Sequence, residues 1–231
     1  MMNFLSNTLA WRFRDEILSG LEVTLVISIA SVIIGSILGL IIALMHMSHH
    51  KTIRAVAGTY VEILRGTPMI VQLEFVYFSL PLILGAILSV TGIHIQPNIA
   101  TIPAGIIAVS INSSAYVSEA IRGGFNSVNI GQTEAARSLG LSQRTTMRFV
   151  VIPQALKNIW PALGNEFVAL IKESSIVLII GAPDIMYQIN NMRATTFNGV
   201  TPLIIAAAIY FILTFSLSRI MKHFERKMKH D

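Results

Sequence analysis

Three stretches of this chain carry no Asp, Glu, Lys or Arg: 28 residues from Val23 to His50, 44 from Phe75 to Ser118, and 25 from Ala194 to Ser218. A helix needs roughly 20 apolar residues to cross a hydrocarbon layer about 30 Å thick. A soluble domain of this length could bury a large core, but not several uncharged runs of that size, so the chain belongs in a bilayer. The composition agrees, since only 13% of the 231 residues are charged, where soluble domains carry about a quarter. In a soluble protein the formal net charge of +5 would suggest nucleic acid as a partner. Here the basic residues flank apolar runs, so membrane orientation accounts for them, and lipid rather than nucleic acid is the expected surrounding. With no cysteine, disulfides and thiolate metal sites are excluded.

In chain order, residues 1–22 hold Trp11, Arg12, Phe13, Arg14, Asp15 and Glu16, an aromatic and charged mix suited to an interfacial lead-in. They lack the successive basic, apolar and small-residue zones of a cleaved signal peptide. The first span is expected at about 23–45, with Ser28, Ser31, Gly35 and Gly39 on neighbouring turns, where small residues let a second helix approach closely. It ends in His46, His49, His50, Lys51 and Arg54, a basic cytosolic cluster whose histidines read as a solvated face. A short helix from Tyr60 meets Gly66 and Pro68; the proline pushes Thr67 out of helical geometry, so a kink precedes a second span at about 67–89. Pro81, Gly92, Pro97 and Pro103 mark a loop free of Lys and Arg, hence outside. A third span, about 102–121, carries Asn112, Ser113, Ser114 and Glu119. The fourth, about 159–181, contains Glu166, Lys172 and Glu173; each charge costs on the order of 3 kcal/mol at a bilayer centre and is expected to face protein or water. Asp184 to Arg193 reads as a polar outer loop, and a fifth span at about 201–220 leads to the basic tail 222–231. Glu62 with Arg65, and Glu119 with Arg122, have the spacing of ordinary helical ion pairs.

Of the 17 Lys and Arg, Arg12, Arg14 and Arg193 fall outside in this layout, Lys172 lies within a span, and the other thirteen fall inside. That bias supports five spans in one membrane domain, residues 23–221, with the amino terminus outside and the carboxyl terminus inside.

The loop 131–153 joins spans three and four and reads GQTEAARSLGLSQRTTMRFVVIP. Glu134, Ala135 and Ala136 predict a short helix of little bulk, and Gly140 permits a left-handed turn. Ser142 can cap a second helix, which Pro153 limits at its far end. Glu134-Ala135-Ala136, three residues, Gly140, and then Val150-Val151-Ile152-Pro153 resemble the EAA loop of permease subunits of bacterial ABC importers. The usual hydrophobic-x-Leu-Pro ending is here Val-x-Ile-Pro. Arg65-Gly66-Thr67-Pro68 followed by Val71-Gln72 resembles the Arg-Gly-Thr-Pro-x-x-Val-Gln signature of polar amino acid permeases in the same superfamily. Glu74 stands where those relatives commonly carry an aromatic or aliphatic residue.

The resemblance implies an all-α membrane protein of the type I ABC importer permease fold, resident in the bacterial cytoplasmic (inner) membrane. It further implies a dimer of permease subunits, a homodimer rather than a heterodimer, with two cytosolic ABC ATPase subunits and an extracytoplasmic amino acid-binding protein. In that family the EAA loop is the coupling helix seated in a groove of the ATPase, which assigns Gly131, Glu134, Ala135, Ala136, Arg137 and Gly140 to coupling. Glu134 has two readings, a pair with an Arg of the loop or of the ATPase, and a plain solvated helix charge.

The chain has no Gly-Lys pair and therefore no phosphate-cradling P-loop, so no cofactor is expected in it; ATP and Mg would be bound by the partner ATPase. Neither His-Glu-x-x-His nor a nucleophile set argues for an enzyme. The expected function is the membrane subunit of an ATP-driven importer of a polar amino acid. Gln72, Glu74, Asn112, Ser113 and Glu166 are the candidate substrate path, because a zwitterion needs acceptors for its ammonium and donors for its carboxylate. The acidic members favour a basic amino acid over glutamine, glutamate or cystine. The rival reading, an ion-gradient-driven secondary transporter or channel, would usually show two related halves, and five spans show none.

Overall fold

The computed structural model of the chain describes residues 8–95 and 97–230, with side chains described to Lys227. Residues 1–7 of the expected lead-in lie outside that range. Within it every regular element is helical: α1 (Leu9–Arg12), α2 (Arg14–His46), α3 (Lys51–Gly66), α4 (Met69–Glu74), α5 (Leu80–Val90), α6 (Thr101–Asn126), α7 (Ile130–Ser138), α8 (Gln143–Thr146), α9 (Ile152–Glu173), α10 (Ile185–Thr196) and α11 (Thr201–His230). Among the described residues four helical stretches are long and apolar enough to cross a membrane: Arg14–His46, Met69–Val90, Thr101–Asn126 and Thr201–Lys227.

The remaining expected span is built differently. Helix α9 gives way after Glu173 to a tighter 3₁₀ turn, Ser174–Ile180, which Gly181 ends at a left-handed φ of 77°. Ser174 and Ser175 donate their hydroxyls to the carbonyls of Ile171 and Lys172 at 2.9 and 2.6 Å, local bonds that compete with the regular ladder. Lys172 and Glu173 therefore sit at the end of α9, where the helix tightens.

Two sequence expectations fail here for physical reasons. The stretch Asp184 to Arg193 is not a loop but the start of α10, with Asp184 as its cap: its Oδ1 accepts from the Tyr187 amide at 2.8 Å. Ile185, Ile189 and Met192, spaced four and three apart, are buried against Leu9, Phe13, Ile17 and Leu21 of the amino-terminal helices and against Ile205 and Ile209 of α11. Nor does Pro153 end the second helix of the 131–153 loop. A widened π-helical turn, Met147–Val151, carries α8 into α9 with Pro153 in its first turn. A second such turn, Phe75–Ser79, joins α4 to α5, again two residues ahead of a proline, Pro81. Proline lacks the amide and its ring strikes the carbonyl four residues back; a locally wider turn moves that carbonyl away.

Helix α6 is the pillar. Of its most apolar window 67% is buried, against 17% for Met69–Val90 and 6% for Thr201–Lys227, so the latter two leave their flanks largely uncovered. Between helices in lipid there is no hydrophobic drive, and van der Waals contact of small residues must hold them. The expected stripe supplies this: Ser28, Ser31, Gly35 and Gly39 are all buried. A β-carbon on Gly35 would lie 3.1 Å from Ser113, and one on Gly39 only 2.6 Å from Val117. A central cluster gathers Ile27, Leu73, Val109, Leu170 and Val177, and another gathers Ala43, Val117, Ile121, Ala155 and Ile159 near the 131–153 loop.

Candidate functional site

In the 131–153 loop the expected helix, turn and helix are present. Asn129 caps α7, its side-chain oxygen accepting from the Gly131 amide at 2.8 Å. The far end closes as a Schellman turn: Leu141 N donates to Ala136 O at 3.2 Å, Gly140 N donates to Arg137 O at 3.0 Å, and Gly140 takes φ 82°. Arg137 donates to Leu141 O at 2.8 Å, and Ser142 caps α8 through the Thr145 amide. Ala136 is buried beneath the helix, while Glu134, Ala135 and Arg137 face solvent. Among the described residues Glu134 makes no ion pair within the loop. Ile130, Leu139 and Phe149 are 70%, 83% and 67% exposed. This apolar crown on a polar knob went unnoticed in the sequence, where isolated hydrophobic residues beside charges carry no periodic signal. Gln154 reaches Gln132 at 3.4 Å and Asn158 donates to Ser127 at 2.8 Å, so α9 is tied to the start of the knob and to the end of α6 just ahead of it.

The Arg65-Gly66-Thr67-Pro68 kink has a specific chemistry. The Leu64 carbonyl would bond the amide of residue 68, which proline lacks. Gln72 Nε2 takes that place at 2.8 Å and also reaches Thr67 O at 3.1 Å and Thr67 Oγ1 at 2.8 Å. Its carbonyl accepts from Asn112 Nδ2 at 3.0 Å, which fixes the kink to α6. Of the five candidate path residues, Gln72 and Asn112 therefore meet directly. Ser113, fully buried on the next position of α6, lies beside half-buried Glu166 of α9. Glu74 is exposed on α4, two residues beyond Gln72.

Two ionic expectations change. Arg65 turns to Glu119, at 3.5 Å, rather than to Glu62, and its guanidinium lies 5.5 Å from the Tyr116 ring. His46 does not belong to a solvated face: it is partly buried, with Nδ1 3.7 Å from Glu119 Oε1, whereas His49 and His50 are exposed. The expected pair Glu119–Arg122 forms, bidentate, at 2.7 and 2.8 Å.

Residues 35–230 match the family described as binding-protein-dependent transport system inner membrane component. The chain belongs to that family. This permease is 43% identical over 215 residues to the arginine transport system permease protein ArtQ of Bacillus subtilis (strain 168), covering 93% of each chain. It is 33% identical over 219 residues to the glutamine transport system permease protein GlnP of Escherichia coli (strain K12), covering 95% of each. A crystal structure of an amino acid ABC transporter with histidines contains a chain that superposes on the permease with a TM-score of 0.82 at 45% identity, over 94% of this chain and 95% of that one. An inward-facing MetNI methionine ABC transporter gives a TM-score of 0.70 at 18% identity, over 94% and 98%, and shares the fold. The permease is thus an inner membrane component with the type I importer fold expected from the two motifs.

Proposed function

We propose that this permease forms the transmembrane path of an ATP-driven importer for a polar L-amino acid, with arginine as the leading substrate. The single observation that carries the reading is the likeness, across nearly the whole chain, to an arginine permease at 43% identity. The partners follow: two ABC ATPase subunits that bind ATP and Mg, an extracytoplasmic amino acid-binding protein, and a second identical permease. Five spans cross the membrane, the fourth being α9 with its 3₁₀ extension, and the amino terminus faces outward. The lean of Lys and Arg toward the 131–153 loop and the tail supports this orientation.

The knob α7 is the piece that takes up motion. Its exposed Ile130, Leu139 and Phe149 suit an apolar groove on the ATPase, and Glu134, unpaired within the loop, is available to a cation of that partner. Helices α8 and α9 are joined without a break by the π turn, so displacement of the knob is transmitted to the helix that bears Glu166. Gln72, Asn112, Ser113 and Glu166 line the route, and Glu74 joins them from the face left open in one subunit.

The test is reconstitution of the permease with its ATPase and binding protein in proteoliposomes, with uptake of radiolabelled L-arginine and L-glutamine measured with and without ATP. ATP-dependent accumulation with arginine ahead is expected. Accumulation driven by an ion gradient without the ATPase would overturn the proposal.

A further inference from the structure

One carboxylate joins three helices near the knob. Glu119 of α6 contacts Arg122 one turn on, Arg65 at the end of α3, and His46 at the end of α2. From the geometry we infer that Glu119 and Arg65 form a breakable latch that holds the permease at rest, so that Glu119 is a positioning residue for the coupling of ATP hydrolysis to transport. The inference rests on the importer reading above.

The two Arg contacts are unlike. Arg122 sits on the same helix as Glu119 and grips both carboxylate oxygens, so it travels with Glu119 whatever α6 does. Arg65 belongs to the kinked segment, reaches one oxygen at 3.5 Å, and is 47% exposed. In the same position its guanidinium lies over the Tyr116 ring, one turn back on α6. When Arg65 departs, Glu119 remains satisfied by Arg122, so no unpaired carboxylate is left behind. Breaking a buried pair by removing one partner is otherwise strongly unfavourable; a third charge that stays in place makes the exchange reversible.

Position supports the same reading. Glu119 is on the helix that runs directly into the knob, and Arg65 opens the kink that Gln72 bolts to α6 at Asn112. The Gln72–Asn112 bond and the Tyr60–Ser114 bond, at 2.7 Å, are neutral and involve a buried α6 residue in each case. The Arg65 contact is the long, exposed and charged one of the three, and it is the one fitted to open and close as the knob moves.

The test uses the complete complex in nanodiscs, with ATPase activity read in the absence and presence of binding protein loaded with L-arginine. Glu119→Gln and Arg65→Gln are each expected to raise the unstimulated rate and to lower the stimulation ratio by about fivefold, the low end of usual coupling energies. The double variant is expected to lower it no further, because both changes open the same latch. Unchanged ratios in both single variants, or effects that multiply in the double, would overturn the latch. Should the Gln variants fail to assemble, Glu119→Asp decides. Its shorter arm keeps Arg122 and retreats from Arg65, so an intermediate ratio is expected, and a wild-type ratio refutes the idea. A wild-type complex that binding protein does not stimulate would overturn the importer reading and the latch together. A stimulated wild type beside unchanged variants overturns the latch alone.

Discussion

Gly123 and Gly124 are neighbours on α6, yet alanine at the two sites should act in opposite directions. A β-carbon on Gly123 meets nothing within 4 Å, whereas on Gly124 it collides with Ile159 Cγ1 and comes within 3.2 Å of the Ala155 carbonyl. Replacing a helical glycine by alanine gains about 0.5–1 kcal/mol by restricting the unfolded backbone, and this gain is common to both. Ile159 is buried and Cγ1 lies near its root rather than its tip, so it cannot swing aside freely. Inserting a methyl group against such a wall costs about 1–3 kcal/mol. Gly123→Ala should therefore stabilise, and the two variants should differ by about 1–3 kcal/mol, the propensity gain cancelling in the comparison. For a chain of this size 1 kcal/mol moves Tm by about 2–4 °C, so Gly124→Ala should melt about 2–12 °C below Gly123→Ala. Thermal unfolding of the purified permease in one detergent, at one scan rate and followed by tryptophan fluorescence, reads that difference. Equal melting temperatures, or a higher one for Gly124→Ala, would refute the close packing of α6 on α9.

Gln72→Leu and Asn112→Leu should each destabilise by about 1–3 kcal/mol by stranding a polar partner, and the double variant should be milder than their sum, which a double-mutant cycle in the same melting assay checks. Gly140→Ala forces a methyl into a left-handed turn and should cost about 1–2 kcal/mol; stimulated ATPase of the complex should fall with it, and an unaltered rate would detach the turn from coupling. Burial pushes the Asp184 carboxyl up to about 6, above the 3.9 or so of an unfolded chain, so the folded state holds its proton more tightly. Its contribution is fully present below about pH 4, is lost as pH rises toward 6, and is flat above. Asp184→Asn, which keeps an oxygen to cap α10, should flatten that slope in melting curves taken from pH 4 to 7.

What the residues disclosed and what they withheld divide along one physical line. Signals carried by neighbours in sequence were legible: the uncharged runs, the small-residue face from Ser28 to Gly39, the Gly140 turn and the Ser142 cap. Pairings across space were not. Gln72 and Asn112 lie 40 positions apart, and nothing local marks them as partners, although both were recognised as polar groups at depth. Glu119 looked complete with Arg122 three residues on, which hid its reach to Arg65 and His46. Helix α10 was misjudged because its polar residues outweighed the spacing of Ile185, Ile189 and Met192. Proline rules drawn from regular helices set a boundary at Pro153 that the chain does not have, since they take no account of a turn that widens to admit the ring.

Each of the two wide turns holds one residue more than the helix around it would need. Deleting a single residue from Met147–Val151 would close the wide turn to a regular one, and the faces beyond it would keep their register, because the wide turn is what absorbs the extra residue. The face that carries Glu166 would still point toward Ser113, but Pro153 would meet a carbonyl that no longer stands clear. A lone deletion there should therefore strain the start of α9 at Pro153, while an intact extra residue without its proline remains tolerable. The proline therefore depends on the extra residue: a deletion that also replaces Pro153 should fare better than the deletion alone.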